Sequence, residues 1–137
     1  MASHHTGRPW VERIRPQVLD RDGWLCTLPR CKVAEWLANP PARDRRLAEQ
    51  AKTWARMQPT TRTIWRDAPR TPTRNGYRLH PLSPSVDMVT PKSQGGSDRD
   101  LTNLRASHLL CNVSRGAGLK ERGRYTTSKP RVQSSGG

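Results

Sequence analysis

The sequence predicts one small α+β domain that needs a stabilising element in addition to its apolar core. The chain has 137 residues, of which 32% are apolar; it contains 12 Pro and no Phe. A chain of this length forms a single domain, and so thin a core is usually supplemented by a metal ion or by disulfides. Helical periodicity in the first half and a strand–loop–helix pattern near the end indicate the α+β class.

Three helices are predicted in the first half of the chain. Pro16 suits the first position of a helix over residues 17–22, which Gly23 ends. A second short helix is expected near residues 33–37, before a Pro-Pro pair. The clearest helix covers residues 42–57, where four apolar residues recur at helical spacing: Leu47, Ala51, Trp54 and Ala55.

The second half is expected to contain strands joined by long loops. Residues 58–79 show no periodicity and are interpreted as an irregular basic loop. A short strand is predicted for residues 86–89, an extended loop for 91–100 and a returning strand for 101–104. A helix from about 107 to 119 completes the folded part.

Both ends of the chain are expected to lie outside the folded domain. Residues 1–9 are interpreted as a flexible arm, and the domain itself as residues 10–119. The tail over residues 120–137 carries Lys, Arg, Ser and Gly without an apolar pattern, so we expect it to be disordered without a partner.

The charge of the chain indicates a polyanionic partner. It has 25 basic and 11 acidic residues, a net charge of +14, and the polyanion that such a balance suggests is nucleic acid. An anionic membrane is the alternative, but no basic helix has a strong apolar face, and no segment approaches transmembrane length. We therefore expect no membrane partner.

Cysteine usage indicates a reducing compartment. Three cysteines cannot all pair, and residues 1–9 lack the apolar stretch of a signal peptide. Thiols that bind a metal in the cytoplasm are therefore favoured over disulfides in a secreted protein.

Two ligand pairs have the spacing of a zinc site. Four residues separate Cys26 from Cys31, and two separate His108 from Cys111; both spacings are typical of structural zinc sites. A buried Cys alone is often only a small apolar residue, but here all three fall into pairs. Four protein ligands would close a tetrahedral shell, so we expect a structural zinc ion that staples the domain.

An ordered set of polar residues lies between residues 86 and 112. A predicted strand ends in an acid, a Gly-Gly loop follows, and an Asn-Leu pair precedes a His-x-x-Cys-Asn run; the residues are Asp87, Gly95, Gly96, Asn103, Leu104, His108, Cys111 and Asn112. This order resembles the HNH endonucleases, which have a ββα-metal (His-Me finger) motif. The resemblance covers residues 85–116 well and 16–31 loosely, with a helical insertion at about 32–79.

The resemblance implies hydrolysis of double-stranded DNA with one divalent cation. Asp87 and Asn112 would bind catalytic Mg²⁺ or Mn²⁺, since carboxylate and amide oxygens suit these hard ions. Asn103 would brace the loop and hold the general base. The family has that base, a His, where this chain has Met88, whose thioether has no titratable proton near neutral pH.

Three explanations of Met88 stay open. It is an engineered substitution that disables a toxic nuclease, a natural loss that leaves a DNA-binding module, or a sign that another base serves. His80 and a hydroxide bound to the cation are the candidates for such a base, although an ordinary surface turn residue is the favoured explanation of His80. Asp87, the Gly-Gly pair and Asn103 also each have an ordinary explanation as turn or cap residues.

Basic residues in and beside the motif are expected to contact DNA phosphates: Lys92, Arg99, Arg105, Arg115, Lys120, Arg122 and Arg124. Such contacts position a duplex without reading its sequence, so we expect low sequence specificity.

The function predicted first is therefore that of an HNH-type DNA endonuclease. Small relatives occur in bacteriophages and actinobacteria, and phage forms can assist DNA packaging with a terminase. The main alternative is a zinc DNA-binding protein that has lost cleavage, and a third is an adaptor that docks a partner through the helix at 42–57.

Overall fold

The computed structural model of the chain describes residues 13–115 and has the α+β architecture that the sequence predicts. Within this range lie four helices, α1 (Arg15–Arg21), α2 (Val33–Ala38), α3 (Arg45–Ala55) and α4 (Leu109–Arg115), and four strands, β1 (Arg70–Thr73), β2 (Gly76–Leu79), β3 (Pro84–Met88) and β4 (Leu104–His108). β1 pairs with β2 and β3 with β4, each antiparallel. The expected arm at 1–9, the tail at 120–137 and the end of the last helix lie outside the described residues.

The helices of the first half agree with their predictions. Pro16 sits in the first turn of α1, which buries Val18 and Leu19. The helix predicted for 42–57 begins with a 3₁₀ turn at Ala42–Asp44 before α3 proper. Its first acid does not cap the helix, because the carboxylate of Asp44 accepts hydrogen bonds from Trp36 Nε1 (3.2 Å) and from Arg78 (2.8 Å).

The interpretation of residues 58–79 as an irregular loop is wrong for its last ten residues. β1 and β2 form a hairpin there, with Pro72 opposite Tyr77 and Thr73 opposite Gly76. All of residues 70–77 are exposed, so only the end of β2 contacts the core and the strands show no alternation of buried and exposed residues. The available signal was the Asn75-Gly76 dipeptide, which is typical of hairpin turns.

The predicted return strand at 101–104 is also wrong in position. Residues 101–103 form a 3₁₀ turn, which Asp100 caps by accepting a hydrogen bond from the Thr102 backbone N–H. β4 therefore starts at Leu104 and continues through His108, so the following helix begins at Leu109 rather than near residue 107.

The β3–β4 sheet has two distinct faces. Residues directly opposite in an antiparallel pair share a face, and Val86 lies opposite Ala106 while Asp87 lies opposite Arg105. Val86 and Ala106 pack with Leu19 and Ile64 in a small apolar cluster. Asp87 and Arg105 therefore lie on the other face.

The larger core combines helices α2, α3 and α4 with the cysteines. Its buried residues are Cys26, Leu28, Val33, Trp36, Ala48, Ala51, Leu82, Leu110 and Cys111. Apolar packing and the predicted metal ligands thus form one cluster. No helix within residues 13–115 is long and apolar enough to cross a membrane.

His80 is a buried structural residue, neither a surface turn residue nor an accessible base. The residue is 1% exposed, and its ring packs edge-on against Trp36 and Trp65. Nε2–H donates to the Leu47 carbonyl (3.1 Å), and Nδ1 accepts from the Leu82 backbone N–H (3.0 Å). Burial lowers the pKa of His80 to about 4, so the ring is neutral at pH 7 with both nitrogens occupied.

This burial predicts a loss of stability in weak acid that depends on His80. The pKa of His80 is about 4 in the folded chain and about 6.5 in an unfolded one. The contribution of His80 to the free energy of unfolding is therefore fully present above pH about 6.5 and decreases as the pH falls towards 4. The loss attributable to this residue is on the order of 3 kcal/mol. His80→Gln should show a flatter profile in urea denaturation at several pH values. Parallel profiles for the two proteins would contradict it, since other acid-sensitive groups are shared.

Candidate metal centre and the Asp87 face

The four predicted zinc ligands come together from distant parts of the chain. The ligand atoms of Cys26, Cys31, His108 and Cys111 all lie within 4.8 Å of one another. The first two flank the turn after α1, His108 ends β4, and Cys111 lies in the first turn of α4. The residues are therefore close enough to bind a single metal ion.

The distances and the donor types fit a zinc ion. Cys31 Sγ lies 3.8 Å from Cys111 Sγ, and His108 Nδ1 lies 3.7 Å from Cys31 Sγ and 3.8 Å from Cys111 Sγ. A tetrahedron with bonds of about 2.3 Å has edges of about 3.8 Å, and three thiolates with one imidazole are a typical structural zinc set. The shell needs no further ligand, so an ion held there would have a structural role.

A backbone carbonyl orients the His108 ring. Nε2–H donates to the Thr63 carbonyl at 2.9 Å, which leaves the lone pair of Nδ1 directed at the three sulfur atoms. Thr63 is 45 residues away in the chain, so spacing in the sequence gives no sign of this contact. The Lys32 backbone N–H also donates to Cys111 Sγ at 3.3 Å.

Arg62 fixes the turn that carries the first two cysteines. Its guanidinium donates to the carbonyls of Cys26 (2.9 Å), Leu28 (2.8 Å) and Pro29 (3.2 Å). The Cys26 backbone N–H in turn donates to the Arg62 carbonyl at 2.8 Å. The neighbouring residues Arg62 and Thr63 thus hold opposite sides of the ligand set.

The crowding of these groups shifts their proton affinities. Hydrogen bonds with the sulfur atoms of Cys111 and Cys31 hold the pKa of Cys26 far below its usual range, and those with Cys26 and Cys31 raise the pKa of Cys111 far above it. Burial acts to lower the pKa of His108, but hydrogen bonds with Cys26, Cys31 and the Thr63 carbonyl outweigh it and raise the value to about 9. A metal ion must therefore displace protons from this cluster, and acid should weaken its binding.

Asp87 is buried and paired with a cation from the opposite strand. The residue is 3% exposed, and its Oδ2 accepts a hydrogen bond from Arg105 Nε at 2.9 Å. Arg105, which the sequence predicts to contact DNA phosphates, therefore pairs with Asp87, a contact that the sequence does not predict. The alternation of a strand, which places i and i+2 on one face, puts Ser85 beside Asp87.

Asn112 reaches the same face of β3 from helix α4. Its Nδ2 donates to Ser85 Oγ at 2.8 Å and to the Val86 carbonyl at 3.2 Å. Asp87 and Asn112, the two residues predicted to bind the catalytic cation, therefore share one face of the β3–β4 sheet. This surface, with Ser85 and Arg105, is called the Asp87 face.

Asn103 connects the two ends of the loop after β3. Its Oδ1 accepts from the Thr90 backbone N–H (2.8 Å), while its Nδ2 donates to the carbonyls of Thr90 and Ser97 (3.0 Å each). A Cβ at Gly96 would overlap the Thr90 carbonyl, so only glycine permits this close approach. The Gly-Gly pair is therefore part of the braced loop.

Met88 lies at the end of β3, next to Asn103 but facing away from Asp87. It pairs with Leu104 in the register of the sheet, and the following Val89 N–H donates to the Asn103 carbonyl at 2.8 Å. Adjacent residues of a strand point to opposite faces.

The predicted phosphate contacts are only partly within the described residues. Lys92 pairs with Asp98 at 3.2 Å, and Arg99 is exposed. The side chain of Arg115, and Lys120, Arg122 and Arg124, lie outside that part of the chain.

We predict one tightly bound zinc ion per chain, lost in Cys111→Ser. A structural zinc ion contributes on the order of 10 kcal/mol or more, comparable with the whole stability of a small domain. Elemental analysis should find one zinc in the parent and in the control Ser114→Ala, which is exposed on the same helix. Cys111→Ser should melt at least about 10 °C lower. A metal-free parent, or equal melting of both variants, would contradict the assignment.

Arg62→Lys should accelerate the loss of zinc. An ammonium cannot reproduce the three-carbonyl contact of the guanidinium, and weakened support around ligands typically costs about 10-fold or more in metal affinity. The rate of transfer to a coloured chelator measures the effect. The matched control is Arg30→Lys, an exposed position within the same turn. Equal rates of zinc transfer for the two variants would show that Arg62 does not support the metal ligands.

Comparisons of the chain with family models, with curated proteins and with solved structures found no match in any of the three.

Proposed function

We propose that the chain is an endonuclease of the HNH type that hydrolyses phosphodiester bonds of double-stranded DNA with one divalent cation, Mg²⁺ or Mn²⁺. The observation that carries the proposal is the shared face of β3, where the buried carboxylate of Asp87 lies beside Ser85, to which Asn112 of α4 donates. The resemblance implies two antiparallel strands followed directly by a helix, with an acid on the first strand and an amide on the helix.

The position of the four predicted zinc ligands in the fold supports this proposal. His108 and Cys111 lie at the junction of β4 and α4, immediately before Asn112. An ion bound there would fix the start of α4 against the sheet and so fix Asn112 relative to Asp87. A role beside a phage terminase would be the biological setting of such an enzyme; it rests on the resemblance alone.

The roles of the chain's residues follow from their chemistry. A divalent cation at Asp87 and Asn112 would supply charge for the scissile phosphate and the leaving 3′ oxygen. Asn103 keeps the loop over residues 90–97 in place, so that Lys92 within it and Arg99 just after it can approach neighbouring phosphates. Deprotonation of the attacking water lacks an obvious agent, because His80 is buried with both nitrogens bonded and Met88 is not a base.

A DNA-binding protein without cleavage is the second candidate, and one observation favours it. The partly exposed Arg105 guanidinium already neutralises the buried carboxylate of Asp87 at 2.9 Å. A divalent cation would have to displace this guanidinium, which lowers the affinity of the site for metal. The net charge of +14 serves DNA binding with or without hydrolysis.

We predict that Met88→His increases DNA cleavage. A positioned general base typically contributes about 10² to 10⁴ in rate. Position 88 adjoins Asn103, the residue proposed to hold the base, and it is the last residue of β3, so the gain requires the imidazole to reach around the end of the strand to the face that carries Asp87. Nicking of supercoiled plasmid in Mn²⁺ by the parent and the variant compares them directly. The parent should cut slowly or undetectably.

Two controls make the outcome decisive. Asp87→Ala in the Met88→His background should abolish the gain, since it removes the proposed cation ligand but not the imidazole. Equally robust cutting by parent and variant would mean that another base serves. If Met88→His binds duplex DNA but does not nick the plasmid, the nuclease proposal is wrong and the DNA-binding protein is favoured.

A further inference from the structure

The β1–β2 hairpin is a basic ribbon that the metal centre and the Asp87 face do not use. Its residues 70–77 are all exposed, and residues 70–79 contain three arginines and no acid. Tyr77 keeps 48% of its surface exposed, with the Arg70 guanidinium 5.8 Å from its ring centroid. An exposed ribbon with cations and an aromatic ring is suited to a polyanionic partner.

The base of the hairpin is firmly attached to the domain. Arg78 donates to the carboxylate of Asp44 at 2.8 Å, and Asp44 is 0% exposed. Leu79 packs against the larger apolar core, and His80 follows it in the interior. The base of the ribbon is therefore held against the domain, although an isolated two-stranded hairpin has little stability of its own.

Like charges are held close together near this base. Burial, and then the charge of Arg70, lower the pKa of Arg15, so the two guanidinium groups repel each other. Arg15 also donates to the carbonyl of Pro84, the first residue of β3, at 3.1 Å. The positive charge of the hairpin thus continues to the strand that ends at Asp87 and Met88.

We infer that the β1–β2 hairpin inserts into the major groove of duplex DNA and provides a second contact besides the Asp87 face. Paired strands lie about 4.8 Å apart, so a ribbon with its side chains fits the major groove, about 12 Å wide, and exceeds the minor groove of about 6 Å. Arg70 and Arg74 then neutralise flanking phosphates. The inference rests on the duplex DNA substrate of the proposed function and adds where that duplex is held.

The salt dependence of binding tests this contact. Each lost phosphate contact reduces the slope of log affinity against log salt by about 0.9. Arg70→Gln/Arg74→Gln should therefore reduce the slope by roughly two, measured by fluorescence anisotropy between about 50 and about 200 mM salt without divalent cations. The control Arg45→Gln/Arg56→Gln removes the same charge from exposed positions at the two ends of α3 and should change the slope by less than half as much.

A groove-specific competitor tests the mode of binding. Methyl green, which occupies the major groove, should reduce the affinity of the parent to that of the hairpin variant, whereas netropsin in the minor groove should not. Equal slopes for hairpin variant and control, competition by netropsin alone, or equal affinity of the parent for single strands would each overturn the inference. Circular dichroism of both double variants checks that they are folded.

Failure of this inference is distinguishable from failure of the proposed function. If hairpin substitution weakens duplex binding while Met88→His leaves plasmid uncut, the groove contact stands and the nuclease falls. If Met88→His cuts and hairpin substitution behaves like the control, the nuclease stands and the groove contact falls. Absence of duplex binding by the parent near 50 mM salt would overturn both.

Discussion

The approach of two cysteines after α1 to His108 and Cys111 at the β4–α4 junction is the contact on which the rest of the fold depends. The ligand atoms lie within 4.8 Å of one another, and the two buried cysteines belong to the same apolar cluster as Trp36, Leu82 and Leu110. A chain so poor in apolar residues lacks the buried area to hold these segments by packing alone. A bound ion would close loops of about eighty residues and fix the register of the whole domain.

The segment at about 32–79, which separates the two ligand pairs in the sequence, also contacts the metal centre. Thr63 orients His108 through its carbonyl and Arg62 holds three carbonyls of the turn after α1, so this segment supports both sides of the ligand set. The same segment carries the hairpin, whose Arg78 reaches buried Asp44. The metal ligands and the base of the exposed basic ribbon are therefore held by the same segment, through a few charged and backbone contacts.

The sequence predicts the parts of this protein that depend on local pattern. α1, α2 and α3 follow from periodicity and proline positions, and the four ligands follow from spacing. The sequence does not predict the hairpin at 70–79, because exposed strands show no apolar alternation. It predicts β4 too early in the chain, because Asp100 caps a short turn before the strand. The Arg105–Asp87 pair and the Thr63–His108 contact depend on register and tertiary approach, for which a single sequence contains no signal.

X-ray absorption at the zinc edge of the purified protein tests the central claim most directly, because it reports the donor atoms around the metal. The account predicts about three sulfur neighbours at about 2.3 Å and one nitrogen at about 2.0–2.1 Å, from Cys26, Cys31, Cys111 and His108. A shell dominated by oxygen and nitrogen, or one with two or fewer sulfurs, would contradict it.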